Sequence, residues 1–212
     1  MANLATIKVL VRKLGRIRNA GDLYRFFQIP PLIFMGMILN PRYSVYEIPK
    51  RRGGVRLIED PDEVLKTVLQ HLNQTLQAVY HGLRPACVHG FCISTTHEED
   101  RNIVSNASRH LGIPYMLNID LKDFFHTISF DTVQGIWSRY FPHLDSECIE
   151  ILTRLCCFRG RLPMGSPTSP ALSNFACLDL DAELMTYCKT TGITYTRFAD
   201  DLTFSEIGRA HV

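Results

Sequence analysis

The chain has 212 residues, 46% hydrophobic and 21% charged, with a formal net charge of +2. That is ordinary globular composition, enough for one domain or two closely joined subdomains. It excludes a membrane-spanning chain, because the longest apolar stretch, Pro30 to Leu39, is too short, and the start lacks a signal-peptide core and cleavage site.

The seven cysteines form no Cys-x-x-Cys pair and are odd in number, which argues against a disulfide framework or a zinc site and for a cytoplasmic location. The eight histidines show no metal-ligand spacing either. The small net charge hides an asymmetry. Residues 1–56 hold eleven Lys or Arg and two acids, a balance of +9, and the remainder carries −7. A basic segment beside an acidic one suits a polyanion held over a metal site. A solvated basic helix would give the same imbalance.

Leu4, Ile7, Leu10, Val11, Leu14 and Ile17 recur at helical spacing and predict a helix over 4–18. Tyr43 to Ile48 and Val55 to Glu59 read as strands joined by the basic turn 50–54. Pro61 is expected to open a helix with Asp62 and Glu63 in its first turn and an apolar stripe of Val64, Leu65, Val68, Leu72, Leu76 and Val79. Residues 81–112 are loop-rich. Tyr115 to Asp120 is a short apolar strand ending in an acid. Helices follow over 130–141, over 146–158 with Asp145 as cap, and from Thr168–Pro170 towards Lys189. A hairpin closes the order: Gly192 to Phe198, then Leu202 to Ser205, with Asp200 and Asp201 at its tip. No internal repeat or low-complexity tract is present, and helices mixed with paired strands make the fold α+β.

The chemistry concentrates on three acids. Asp200 and Asp201 repel each other on a tight turn, and a hard divalent cation relieves such repulsion. By itself an Asp-Asp pair is more often a solvated turn. Asp120 supplies a third carboxylate if its strand lies beside the hairpin. Carboxylates gathered around two Mg²⁺ ions serve phosphoryl transfer. Between these acids lies Leu162 to Pro170, where three prolines and a glycine fix a loop that then enters a helix. Alone it would be a stiff connector.

In this order the motifs resemble those of reverse transcriptases of the bacterial retron type. The matching stretches are Arg56-Leu57-Ile58, His89-Gly90-Phe91, Asn118 to Phe125, Leu162 to Asn174, and Phe198 to Ser205, spread over roughly residues 40–205. Asn106-Ala107-Ser108-Arg109-His110 matches the Asn-Ala-x-x-His pattern of retron enzymes. The resemblance implies the fingers and palm of a right-hand polymerase. It assigns residues 1–40 to an N-terminal basic helical segment, 41–113 to fingers and connecting loops, and 114–205 to the palm.

By motif position, Asp120, Leu121, Asp200 and Asp201 would hold two Mg²⁺ ions, with the three aspartates catalytic. Arg56, and one of Lys50, Arg51 or Arg52, would grip the triphosphate. Asp123 and Phe124 would shape the nucleotide site, and Phe125 would exclude a ribose 2′-hydroxyl. Gly165 would let the backbone approach the base pair, and Phe198 would face the primer end. Asn106 and His110 are expected to organise the loop before the palm. Two positions depart from the family: Met164 stands where Gln is usual, and Phe198 where Tyr is usual.

The implied activity is RNA-directed DNA synthesis on a structured template RNA, through an RNA/DNA hybrid, from deoxynucleoside triphosphates. Antiphage defence with an effector protein is implied with it. Group II intron, diversity-generating and template-independent defence polymerases are the neighbouring enzyme readings. A non-catalytic RNA-binding polymerase-like fragment is the reading from another class. The chain is expected to stop before a thumb, and Glu206 to Val212 reads as a non-native tail resembling translated sequencing adapter.

Overall fold

The computed structural model describes residues 3–50, 53–96, 98–206 and 208. Three helices open the chain. In α1 (Leu4–Leu14) the Asn3 side chain accepts from the Ala5 N–H, and in α2 (Ala20–Phe27) Asn19 caps through the Asp22 N–H. A proline starts α3 (Pro31–Leu39), where its missing N–H costs nothing. The helix expected over 4–18 therefore ends early, at Leu14, and the chain turns through Gly15. Ile17 is still buried, so the apolar spacing continued past the helix that it signalled.

Next, β1 (Tyr43–Pro49) and β2 (Val55–Pro61) form a two-stranded antiparallel sheet, in register from Tyr43 opposite Pro61 to Pro49 opposite Val55. Pro61 ends β2 rather than opening a helix. The helix start is fixed by Asp62, whose carboxylate accepts from the Leu65 N–H at 2.9 Å as the cap of α4 (Glu63–His81). Of the expected stripe, Leu65, Val68, Leu72 and Leu76 are buried, Val79 is half-buried and Val64 is exposed. Leu69 completes the buried face.

The loop-rich stretch holds one short helix, α5 (Ile103–Ser108), closed by a reciprocal capping box between Asn102 and Ser105. Then come β3 (Tyr115–Asp120), α6 (Phe124–Thr127), α7 (Phe130–Tyr140) and α8 (Ser146–Cys156), the last capped by Asp145 as expected. The helix expected from Thr168 to Lys189 is two, α9 (Ser169–Ala176) and α10 (Leu178–Thr191), parted at Cys177. The chain then forms β4 (Thr194–Phe198) and β5 (Asp201–Glu206). Glu206 is the last residue of β5 and lies opposite Tyr115; of the six residues after it, only Gly208 is described.

The main core joins α4, α7, α8 and α9. Leu72, Leu76, Val133, Trp137, Leu152 and Leu172 are all sealed from solvent there. Each such side chain contributes roughly 1.5–3 kcal/mol of burial, so these helices form the platform. The second sheet has the order β3–β5–β4, antiparallel throughout. Cys87, Val88, Cys188, Tyr195 and Leu202 form a smaller apolar cluster beneath it. All seven cysteines are free thiols. Among the described residues, no helix is long and apolar enough to cross a membrane.

Candidate active site

The site is built at the tip of β4–β5. Phe198 lies opposite Asp201, and Ala199 and Asp200 make the turn between them. Ala199 has φ 59°, a left-handed conformation that glycine adopts freely and alanine does not. Gly90 is pressed against that turn. A Cβ on it would lie 2.4 Å from the Ala199 nitrogen and 3.0 Å from the Phe198 carbonyl carbon, so only glycine fits without a shift.

The register of β3 with β5 places Asp120 directly opposite Asp201. Opposed residues of an antiparallel pair share a face, so their carboxylates lie side by side. The ladder runs one step further, where the Leu121 N–H donates to the Asp200 carbonyl at 3.0 Å. Asp120, far in sequence from the adjacent Asp200 and Asp201, is thus brought to the same end of the sheet as that pair. Burial, and then the charges of Asp200 and Asp120, push the Asp201 carboxyl above its ordinary value. Among the described residues, no three His, Cys, Asp or Glu side chains form a ready-made metal cage. The donor set itself, all carboxylate oxygen with mutual repulsion, fits a hard divalent cation whose remaining positions are filled by water and phosphate.

The proline-rich loop meets the first sheet. The Glu59 N–H donates to the Met164 carbonyl at 2.7 Å. Gly165 has φ 132°, and a Cβ on it would lie 2.8 Å from the Glu59 carbonyl oxygen. This glycine is therefore required by the docking of β2, whatever else approaches it. Glu59 is fully buried and takes a two-pronged bond from Arg161 at 2.7 and 3.1 Å, with His126 at 3.3 Å. This contact between β2 and the loop was not visible in the sequence.

Asp123, with φ 52°, turns the chain into α6 directly after Asp120 and Leu121. Phe124 is buried, while Phe125 is half-buried, its ring 6.1 Å from Phe91 and 5.6 Å from Phe124. Phe198 is half-buried at the end of β4, and Met164 is half-buried in its loop. Lys50 and Arg56 are exposed at the far end of β1–β2; Arg51 and Arg52 lie outside the described residues.

Asn106 and His110 lie away from the acids. His110 is buried against the hairpin, its Nδ1 2.6 Å from the Ser205 hydroxyl and its Nε2 2.7 Å from the Thr196 hydroxyl. Burial lowers its pKa, favouring a neutral ring that bridges β4 and β5. Asn106 is buried one turn earlier in α5, its Oδ1 without a hydrogen-bond partner.

A carboxylate-bearing hairpin beside a strand that ends in a third acid, with a basic hairpin docked on a proline-rich loop, fits the fingers and palm of a right-hand polymerase. The model of the family described as reverse transcriptase (RNA-dependent DNA polymerase) matches residues 48–209, and the chain belongs to that family. Among curated proteins it is 34% identical to the Retron Ec86 reverse transcriptase of Escherichia coli over 77% of this chain and 49% of that one. It is 35% identical to the Retron Mx162 reverse transcriptase of Myxococcus xanthus over 77% and 35% of the two chains. With the Retron Ec83 reverse transcriptase of Escherichia coli it shares 32% over 80% and 56%. The chain thus spans about half the length, or less, of these relatives. A telomerase structure from Candida albicans, in complex with a TWJ fragment of telomeric RNA, superposes with a TM-score of 0.53 over 85% of this chain and 40% of that one. At 13% identity that likeness concerns the fold alone.

Proposed function

We propose that the chain is the fingers and palm of a retron-type RNA-directed DNA polymerase. One observation carries the reading: Asp120 stands opposite Asp201, with Asp200 bonded through its backbone to the residue after Asp120. The relatives that bear the retron name, and the buried Asn106 and His110, favour this type over other bacterial reverse transcriptases.

In this reading Asp120, the Leu121 backbone, Asp200 and Asp201 hold two Mg²⁺ ions. Bound there, the ions would activate the attacking primer hydroxyl and neutralise the leaving pyrophosphate. The chain's own residues position the reactants. Arg56 and Lys50 grip triphosphate oxygens from the exposed hairpin, where guanidinium and ammonium donors suit phosphate. Asp123 and Phe124 shape the sugar and phosphate pocket through the left-handed turn. Phe125 closes the space a 2′-hydroxyl would need. Met164 and Gly165 flank the base pair, and Phe198 offers an aromatic face to the primer end.

The template is a structured RNA held as an RNA/DNA hybrid, primed from one of its own 2′-hydroxyls. The setting is cytoplasmic antiphage defence with an effector protein. Residues 1–40 form a basic segment, 41–113 the fingers with their connecting loops, and 114–205 the palm.

The test is primer extension by the full-length protein on an RNA template with Mg²⁺. Extension should fall by about a thousandfold in Asp200→Asn with Asp201→Asn. Extension that survives the double change would overturn the assignment.

A further inference from the structure

We infer that Arg197 is a positioning residue that sets the catalytic turn through a buried cage made with Asp181 and Asn174. The inference rests on the metal-binding reading of Asp120, Asp200 and Asp201. Arg197 and Asp181 are both fully buried. The Arg197 Nε and Nη2 donate to the two Asp181 oxygens at 2.9 and 2.7 Å. Its Nη1 donates to Asn174 Oδ1 and to the Ala199 carbonyl, each at 3.0 Å. The Tyr195 hydroxyl donates to Asp181 at 2.8 Å. Asn174 in turn donates to the carbonyls of Gly90 and Phe91, at 3.1 and 3.2 Å. Backbone bonds from Arg197 to Cys87 and from His89 to Arg197, both 2.9 Å, tie the same segment to β4.

The guanidinium therefore joins α9, α10 and the turn, while the Arg197 backbone and the Asn174 amide add the 87–91 segment. The carbonyl it holds belongs to Ala199, the left-handed residue directly before Asp200. That bond fixes the peptide plane from which Asp200 and Asp201 project. The cage is also electrically balanced, since the cation and the Asp181 carboxylate cancel. No net positive charge then competes, from beneath, with a cation bound by the three acids. A buried ion pair is not the cheapest way to fill a core, and apolar residues pack as well. What this pair does, and an apolar pair cannot, is fix a carbonyl in one direction. Lysine cannot replace it, because a single ammonium lacks the planar fork that spans Asp181 and the turn together.

The experiment compares Arg197→Lys, Leu72→Ala and wild-type full-length protein. Leu72 belongs to the main core rather than to the cluster beneath the hairpin, so its variant reports plain loss of stability. For Arg197→Lys, kcat should fall by about a hundredfold, with KM for template and nucleotide little changed. Binding of Mn²⁺, followed by electron paramagnetic resonance, should weaken by roughly tenfold. Leu72→Ala should melt earlier yet keep wild-type Mn²⁺ affinity. Equal kcat and Mn²⁺ affinity in Arg197→Lys and wild type would overturn the inference, as would an equal loss of both in Leu72→Ala. If the wild type neither extends a primer nor binds Mn²⁺, the polymerase reading fails separately. Hydrogen exchange at the Leu121 amide, which bonds to the Asp200 carbonyl, then decides the positioning claim: loss of protection in Arg197→Lys alone supports it, and equal protection in all three overturns it.

Discussion

Two antiparallel hairpins carry the proposed chemistry, and they are held in opposite ways. The hairpin of β4–β5 is packed along its length: Tyr195, Thr196 and Arg197 of one strand and Leu202, Thr203 and Ser205 of the other are buried. His110 bridges its two strands from one side, and Gly90 abuts its turn. The hairpin of β1–β2 is exposed along β1 from Ser44 onward, and burial begins only at its root, with Glu59 and Pro61. The difference matches what each end has to do. Carboxylates that share a cation must be fixed to a fraction of an ångström. Basic side chains that meet a substrate arriving from solvent need exposure more than rigidity.

The largest effect that would break this contrast comes from Gly90→Ala. The new Cβ would meet backbone atoms of Phe198 and Ala199, and backbone cannot swing aside as a long side chain can. The expected cost is about 1–3 kcal/mol of stability, read from denaturant unfolding. Displacement of the turn should lower kcat by about a hundredfold. A wild-type rate in a folded Gly90→Ala protein would mean that the turn is not set by this contact, and the two hairpins would differ less than their burial suggests.

A smaller effect is expected at the root of β1–β2. Glu59→Gln keeps the side chain's shape but removes the charge that accepts both Arg161 bonds. The loss should be about 1–3 kcal/mol, since one Arg161 bond is replaced by a donor facing a donor and the other loses its charge assistance, while Arg161 stays partly covered. In steady-state assays the nucleotide KM should rise while kcat is spared, because the fingers tilt and the acids do not. If kcat fell as far as in Gly90→Ala, the root of this hairpin would be part of the same rigid unit as the turn.

The parts legible in the sequence are those with local signals. A run of β-branched and aromatic residues after Gly192 and an acidic dipeptide located the β4–β5 hairpin, and Asp145 marked a helix start. Asp120 joined the site through motif order, and the β3–β5 register supplied the physical contact that spacing could not. What escaped was tertiary. The break at Cys177 has no proline or glycine to announce it, so one helical pattern covered two helices. Pro61 carried the signal of a helix start, yet the capping side chain belongs to its neighbour Asp62. Arg197 sits in a strand buried on both faces, where period-two alternation gives no sign that an arginine points inward; only its pairing with Asp181 makes that possible. Gly165 invited a ligand-facing explanation, and the Glu59 backbone supplies a structural one.

The smallest effect is also the one in which stability and activity should move in opposite directions. Asp201 has its carboxyl raised by burial first, then by Asp200 and Asp120. A raised folded-state pKa means that the folded protein binds this proton more tightly than the unfolded chain does. The resulting stabilisation is complete below the unfolded value, near 4, and is lost as pH rises through the folded one. Near pH 7 without metal, the ionised site therefore opposes folding. Asp201→Asn removes that opposition. The expected gain is only about 0.5 kcal/mol, because the Asp201 carboxyl is only partly covered and solvent screens most of its repulsion. That corresponds to about 1–2 °C in Tm for a chain of this size. The gain should shrink as pH falls and vanish below the unfolded value, as the wild-type carboxyl takes up its proton. Adding Mg²⁺ near pH 7 should raise the wild-type Tm more than that of the variant, since the cation relieves the repulsion that Asn has already removed. Paired thermal melts near pH 7 and below the unfolded value, with and without Mg²⁺, read all of these terms. A metal-free Tm that falls near pH 7 in Asp201→Asn would show that the three acids do not repel one another, and the rigid hairpin would then be holding its turn for some purpose other than a shared cation.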